Sequence, residues 1–443
     1  MVMLRQWSRY AKQFPLIYIQ DHVRKGMRQT LSTSVPCLAR GSRRKVSDSI
    51  AVDQQDKNDK TVKPNATEYD FVEEAFSSES TKELLENAAS YEDSPLSPDD
   101  VWTQGPYPHN SNYKQSQAKH SNRPKVDPQE TSIVLFPGQG TQYVGMGKEL
   151  LKYPNVQEMY ECASEILGFD LLDLSLNGPP QKLNKTVHQQ PAVVVASLAA
   201  IEKLRDERPS VLDCCVGVAG FSVGEITALI FAGALSFEDA IRLVKVRAQS
   251  MQLASEITPS GMMTVMYGPD SRLNFACSVA KEFCKRQELP EVDCRIANYL
   301  FPHCKVIAGN DEALKFIEEN KSDFRLRRLK RLPVSGAFHT DLMKPAAEPV
   351  KEMLAKLKIE KPIIPVHSNI DGKYYKSVNQ ISKQLPKQIY SPVKWEQTMH
   401  VLYERSQGTH FPKTFECGPG RSLKAILKLC NAKAWDSCIS IEA

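Results

Sequence analysis

The sequence predicts an α/β fold: a large parallel-sheet domain of the α/β-hydrolase-like kind, interrupted by an inserted ferredoxin-like α+β subdomain. Three observations predict it. Short apolar runs alternate with helix-patterned segments over residues 131–258 and again over 335–443, which is the signature of a parallel sheet covered by helices. After Pro259 the order changes to β-α-β-β-α-β over residues 259–334, the split unit of ferredoxin-like domains. At one strand-to-helix junction stands Gly220-Phe221-Ser222-Val223-Gly224, a GxSxG turn that lifts a serine hydroxyl out of the sheet edge.

The first strand, residues 132–136, is short and apolar and runs into Pro137-Gly138-Gln139-Gly140-Thr141-Gln142, where the glycines allow close backbone approach. Helical periodicity follows over 155–167 and, once past Gln190-Pro191, over 192–205; a proline inside a helix removes a donor, so the second helix is expected to begin after it. Residues 216–219 form the strand before the GxSxG turn, and helices are expected over 225–233 and 237–255. In the insertion the strands fall at 262–267, 294–297, 305–308 and 325–334, with helices at 271–287 and 312–319. The parallel pattern resumes with a helix over 342–357, a strand at 364–368, a helix around 395–405, a strand at 414–417 and a helix from Ser422.

Residues ahead of this region have a different character. The first 45 carry ten Lys or Arg against the single acid Asp21, the Arg-rich, acid-poor composition of a mitochondrial transit peptide; a basic tail binding nucleic acid or membrane is the plainer alternative. Residues 46–130 hold 17 acids against eight bases and are rich in Ser, Asn, Gln and Pro, an acidic polar linker with too little apolar surface to fold on its own beyond short helices within 69–91. The remainder, 131–443, is left with a net charge of about +5 and is long enough for a substantial core. Eleven cysteines include no CxxC pair and no zinc-type Cys/His spacing, so free thiols in a reducing compartment and no metal are expected. No stretch is long and apolar enough for a membrane span.

Four places in the folded region carry chemistry. Ser222 is a candidate nucleophile, and the N–H of Val223, at a helix start, is a candidate oxyanion donor. A nucleophilic serine needs a base. His339, in Gly336-Ala337-Phe338-His339 at the seam between insertion and main sheet, is placed at a cleft edge, although a helix-capping histidine would occupy the same position. In the helix over 237–255, positions 240, 244, 247, 251 and 254 form one face, reading Ala, Val, Arg, Met and Ala. An arginine in that apolar stripe needs an anion, either a core acid such as Glu225 or Asp239 or the carboxylate of a substrate held bidentately. The loop carrying Gln139 leaves the first strand where a second oxyanion donor belongs, and it is equally an ordinary way to leave a strand.

Taken together, Phe136-Pro137-Gly138-Gln139-Gly140-Thr141-Gln142, Gln190-Pro191-Ala192, Gly220-Phe221-Ser222-Val223-Gly224-Glu225, Arg247, Gly336-Ala337-Phe338-His339, Met343-Lys344-Pro345-Ala346-Ala347, Ser391-Pro392-Val393-Lys394-Trp395 and Glu416-Cys417-Gly418-Pro419-Gly420 resemble malonyl-CoA:acyl carrier protein transacylases of the mitochondrial type over residues 131–430. The resemblance implies that Ser222 takes the malonyl group from malonyl-CoA, that His339 moves the proton, and that the N–H groups of Gln139 and Val223 hold the oxyanion. It further implies that Arg247 pairs with the free malonyl carboxylate, that Asn298 faces the acyl pocket, and that a main-chain carbonyl near Lys394 orients the histidine. Coenzyme A and phosphopantetheine then enter as parts of substrates, with no separate cofactor, and the acceptor is a mitochondrial acyl carrier protein in the matrix. Phe221 stands where bacterial members carry histidine, a variation the mitochondrial branch accepts. The basic run Arg325, Arg327, Arg328, Lys330 and Arg331 suits an acidic carrier and equally suits a solvated edge strand. The competing readings are a serine hydrolase or thioesterase, and a non-catalytic scaffolding or RNA-binding paralogue; nucleic acid is not an expected partner.

Overall fold

The computed structural model describes residues 127–443 apart from Ser335 and 405–409. The expected leader (1–45), nearly all of the expected linker (46–130) and its short helices lie outside the described residues, as does the end of the helix expected to reach 405. The last linker positions, Pro128–Glu130, form a 3-10 turn capped by Asp127.

The chain opens with β1 (Ser132–Phe136), every residue of it buried, followed by α1 (Val156–Leu167). Next comes α2 (Thr186–Glu207), which runs straight through Pro191 where a break was expected. The missing N–H costs one helical hydrogen bond. Burial of every residue from Gln189 to Ile201 offsets that loss, because packing outweighs local propensity. β2 (Cys215–Gly220) then leads through the serine turn into α3 (Gly224–Phe231) and α4 (Phe237–Ile257). Ser236 caps α4 by accepting from the Asp239 N–H.

The expected β-α-β-β-α-β order is present as β3 (Ser260–Tyr267), α5 (Leu273–Arg286), β4 (Cys294–Phe301), β5 (Cys304–Asn310), α6 (Asp311–Glu319) and β6 (Leu326–Arg331). These strands lie in the order β6-β3-β5-β4, paired antiparallel throughout. α5 and α6 pack on this sheet around Val265, Ile296, Ile307, Leu314 and Ile317.

Beyond the insertion the helix expected over 342–357 is split: a 3-10 segment, Asp341–Ala346, contains Pro345, and only then does α7 (Ala347–Lys356) begin. β7 (Val366–His367) returns to the first sheet. Two elements that the periodicity did not reveal come next, and the last strand, Cys438–Glu442, is a third. α8 (Val378–Gln388), capped by Ser377, contains Pro386, and β8 (Val393–Lys394) pairs parallel with β4, so the second sheet is completed by a strand that follows β7 in the chain. The chain ends with α9 (Trp395–Leu402), β9 (Lys413–Gly418), α10 (Ser422–Cys430) and β10 (Cys438–Glu442).

The first sheet has the order β10-β9-β1-β2-β7, parallel at each pairing. In a sheet of this kind functional groups gather at the carboxyl ends of the strands. Here β1 delivers Gln139, β2 delivers Ser222 and β7 delivers Asn369 to that edge.

Candidate active site

The serine turn is built by its glycines. A Cβ on Gly220 would lie 1.8 Å from the Gly224 carbonyl oxygen, and one on Gly224 would lie 2.5 Å from that of Phe136; neither position tolerates a side chain. Between them Ser222 is held at φ 51°, a left-handed conformation that a non-glycine residue adopts at a cost of about 1–3 kcal/mol when its surroundings enforce it. The enforcement is visible. Asn369 accepts from the Ser222 N–H at 2.6 Å through Oδ1 and donates to the Gly220 carbonyl at 2.7 Å through Nδ2.

Ser222 Oγ lies 2.9 Å from His339 Nε2, and His339 Nδ1 lies 2.8 Å from the Gln388 carbonyl oxygen. A carbonyl only accepts, so Nδ1 carries the hydrogen and Nε2 offers its lone pair to the serine hydroxyl. Burial, with Arg247 adding to it, pushes His339 down to about 4, so the imidazole is neutral at pH 7 and able to take a proton. Its backbone is itself left-handed, φ 64°, and its N–H donates to the Ile389 carbonyl at 3.1 Å. The orienting carbonyl expected at Lys394 is therefore that of Gln388, at the end of α8. Lys394 is engaged elsewhere, its N–H donating to the Asn369 carbonyl at 2.8 Å and its carbonyl accepting from Thr398 Oγ1 at 2.9 Å.

Arg247 reaches the same point from α4 and is 1% exposed. Its Nη1 donates to Gln190 Oε1 at 2.6 Å; its Nη2 donates to Gln388 Oε1 at 2.9 Å and to Ser222 Oγ at 3.1 Å. Every acceptor is neutral. Of the two acids considered from sequence, Asp239 pairs with Arg242 on the surface, whereas Glu225 faces Arg247 only through the Gln388 amide. Burial lowers Arg247 to about 10, with Glu225 opposing the shift; the guanidinium remains charged at pH 7.

Val223 is the N-cap of α3, and among the described residues its N–H has no acceptor; nor has that of Gln139. The Gln139 side chain is anchored, its Oε1 accepting from Gln190 Nε2 at 2.8 Å. Both N–H groups thus remain available to an oxyanion at Ser222. Asn298 is buried on β4, opposite Val393 of β8, and its Oδ1 has no partner among the described residues. Among the described residues no hydrogen bond joins its Oδ1 to Ser222, His339 or Arg247.

Residues the sequence did not single out complete the site. Gln388 sits at the end of a helix that carried no recognisable pattern, and it touches His339, Arg247, Ser222 and Glu225. Asn369 follows a short strand at the sheet's carboxyl edge, where position alone was the available signal. Gln190 lay in the Gln-Pro-Ala motif without an assigned role. Glu225, noted only as a partner for Arg247, accepts from Tyr375 Oη, from Asn369 N at 3.1 Å and from Gln388 Nε2 at 2.7 Å. Among the described residues no group of three or more His, Cys, Asp or Glu side chains is gathered as a metal site would require, and no helix is long and apolar enough to cross a membrane.

A buried serine, histidine and arginine thus converge at one point. The sequence pattern of the family described as acyl transferase domain matches residues 133–410. The chain is 54% identical over 321 residues to a probable mitochondrial malonyl-CoA-acyl carrier protein transacylase of Drosophila melanogaster, covering 72% of this chain and 85% of that one. It is 54% identical over 315 residues to the mitochondrial malonyl-CoA-acyl carrier protein transacylase of Homo sapiens, covering 71% and 81%. Among solved structures, a malonyl-transacylase bound to the holo acyl-carrier protein of a type II PKS superposes with a TM-score of 0.61 at 31% identity, covering 70% of this chain and 94% of that one. This chain is an acyltransferase and belongs to the malonyl-CoA-acyl carrier protein transacylase family.

Proposed function

We propose that this enzyme moves a malonyl group from malonyl-CoA to the phosphopantetheine thiol of an acyl carrier protein by way of a malonyl ester on Ser222. The single observation that carries the malonyl assignment is Arg247: a fully buried guanidinium, held by neutral oxygens and 3.1 Å from the nucleophilic hydroxyl. It has no carboxylate in direct contact among the described residues. A buried cation so placed favours an acyl group that brings its own carboxylate.

In the first half-reaction Ser222 Oγ bonds to the thioester carbonyl carbon while its proton passes to His339 Nε2. The N–H groups of Gln139 and Val223 stabilise the negative oxygen that forms. The carbon–sulfur bond then breaks, and the coenzyme A sulfur leaves as a thiol with the proton from His339. The second half-reaction reverses these roles. The carrier's thiol yields its proton to His339 and attacks the ester carbon, and Ser222 leaves with that proton. The Gln388 carbonyl keeps His339 in the tautomer that both halves need. Arg247 holds the malonyl carboxylate throughout, and Asn298 lines the acyl pocket.

We further propose that the enzyme acts in the mitochondrial matrix with the carrier of mitochondrial fatty acid synthesis. The acid-poor, Arg-rich residues 1–45 support this, as does similarity to relatives named as mitochondrial. No cofactor beyond the two thiol-bearing substrates is required by these steps. The domain reading that accompanies them is a leader (1–45), a linker (46–130), an acyltransferase domain in two parts (131–258 and 335–443) and an inserted subdomain (259–334).

Intact-protein mass spectrometry after incubation with malonyl-CoA tests the proposal. Acylation is expected on the unmodified protein and absent from Ser222→Ala. An acyl adduct surviving on Ser222→Ala, or hydrolysis of malonyl-CoA outpacing transfer to the carrier, would overturn it.

A further inference from the structure

The buried carboxylate of Glu225 has no part in the steps above, yet it sits behind both groups that those steps depend on. Glu225 occupies the first turn of α3 and is completely buried. A buried carboxylate is costly unless its oxygens are satisfied. Here Oε1 accepts from Tyr375 Oη, while Oε2 accepts from Asn369 N at 3.1 Å and from Gln388 Nε2 at 2.7 Å.

The third contact has a consequence for Arg247. Oε2 already accepts from the Asn369 N–H, and it accepts from Gln388 as well, so the amide turns its NH2 toward it. The same NH2 donates to the Ser222 carbonyl at 2.8 Å, which uses both of its hydrogens. The amide oxygen is then forced to the opposite side, where it accepts from Arg247 Nη2 at 2.9 Å. Flipping the amide would set its oxygen against two acceptors and its NH2 against the guanidinium. The spacing gives a second consequence. A direct Glu–Arg pair would occupy the guanidinium fork that has to receive substrate; one amide between them keeps the fork's donors accessible, while burial raises Glu225 to about 7, so that its charge is only partly present at neutral pH.

We propose that Glu225 is a positioning residue for malonyl recognition: through the locked Gln388 amide it aims the Arg247 guanidinium at the acyl group on Ser222. This rests on the malonyl-transfer reading and adds a specificity determinant to it. A residue that merely holds the fold together would affect all acyl substrates alike, whereas Glu225 acting through Arg247 affects the carboxylated one more than the others.

The test is the ratio of kcat/KM for malonyl-CoA to that for acetyl-CoA in the full-length protein, with carrier protein as acceptor. Glu225→Leu removes the acceptor that locks Gln388, and Gln388→Met removes the amide while keeping the main-chain carbonyl for His339. Each is expected to lower the ratio about tenfold or more, the scale of one misdirected charged hydrogen bond. In the double variant the effect should not exceed that of Gln388→Met alone. Glu225→Gln, whose oxygen can still accept from Asn369 and Gln388 while its NH2 donates to Tyr375, is expected to keep the ratio within about threefold of the unmodified protein. A ratio unchanged by Gln388→Met, or additive losses in the double variant, would overturn the proposal. If Glu225→Leu does not fold, Gln388→Met and Glu225→Gln still decide it. Failure of the unmodified protein to take an acyl group from malonyl-CoA would instead refute the function itself.

Discussion

Replacing Arg247 by Met separates recognition of the acyl group from the chemistry on Ser222. Methionine fills much of the same volume without a charge, so the α4 stripe stays packed. Two effects on activity follow, of different size. Malonyl transfer loses a charged, bidentate partner for its carboxylate. Hydrogen bonds to a charged group contribute about 1.5–3 kcal/mol each, so a loss of about 3–5 kcal/mol is expected, roughly 10²- to 10⁴-fold in kcat/KM. Acetyl transfer loses only the Nη2 contact to Ser222 Oγ, about 1 kcal/mol and therefore tenfold or less. Stability changes little by comparison: Gln190 Oε1 and Gln388 Oε1 lose their donor, while a buried cation with no directly bonded carboxylate is removed, and these oppose each other. The assay is steady-state transfer from malonyl-CoA and from acetyl-CoA to carrier protein, with a thermal melt confirming that the variant is folded. Equal losses for the two substrates in a folded protein would refute the assignment of Arg247 as the carboxylate clamp.

The remaining predictions concern the nucleophile and its base. Burial and Arg247 hold His339 at about 4, below the usual histidine value, so the free enzyme keeps a neutral base as pH falls through 6.5. The acidic limb of kcat/KM is expected below about pH 5, and it should move upward in Arg247→Met, where the neighbouring positive charge is gone; a wild-type limb near pH 6.5 in malonyl transfer would contradict this. Asn369→Ala removes both bonds that set the Ser222 turn. Transfer of malonyl and acetyl groups should fall together by about 10- to 100-fold, the scale of one or two buried hydrogen bonds, with their ratio preserved. A changed ratio would show that Asn369 acts on the acyl group rather than on the turn.

Much of this site was legible in sequence because its chemistry needs particular residue types at marked positions. Gly220 and Gly224 are demanded by backbone clashes that any side chain would make, and such demands are local. The arginine in the apolar stripe of α4 was equally visible, since a charge among Ala, Val and Met breaks a helical period. The ferredoxin-like order of the second sheet followed from the succession of short strand and helix patterns along 259–334. What escaped was held by contacts distant in sequence. Pro191 and Pro386 lie inside helices because packing repays the lost hydrogen bond, and β8, two residues long, is a strand only because β4 is there to pair with it.

The α/β class, the inserted second sheet and the serine turn were legible in the sequence, as was the arginine of the α4 stripe, since each follows from periodicity, from backbone sterics or from the cost of an isolated charge. How Ser222, His339 and Arg247 are aimed at one another came from the folded chain. Gln388 replaced Lys394 as the source of the carbonyl behind His339, Asn369 was revealed as the strut of the turn, and Arg247 was found to face neutral oxygens with Glu225 one amide away. Those outcomes depend on hydrogen-bond directions between groups 49 to 163 residues apart, and a side chain's partner across such a distance is set by where the sheet edges and helix ends meet, which no local pattern encodes.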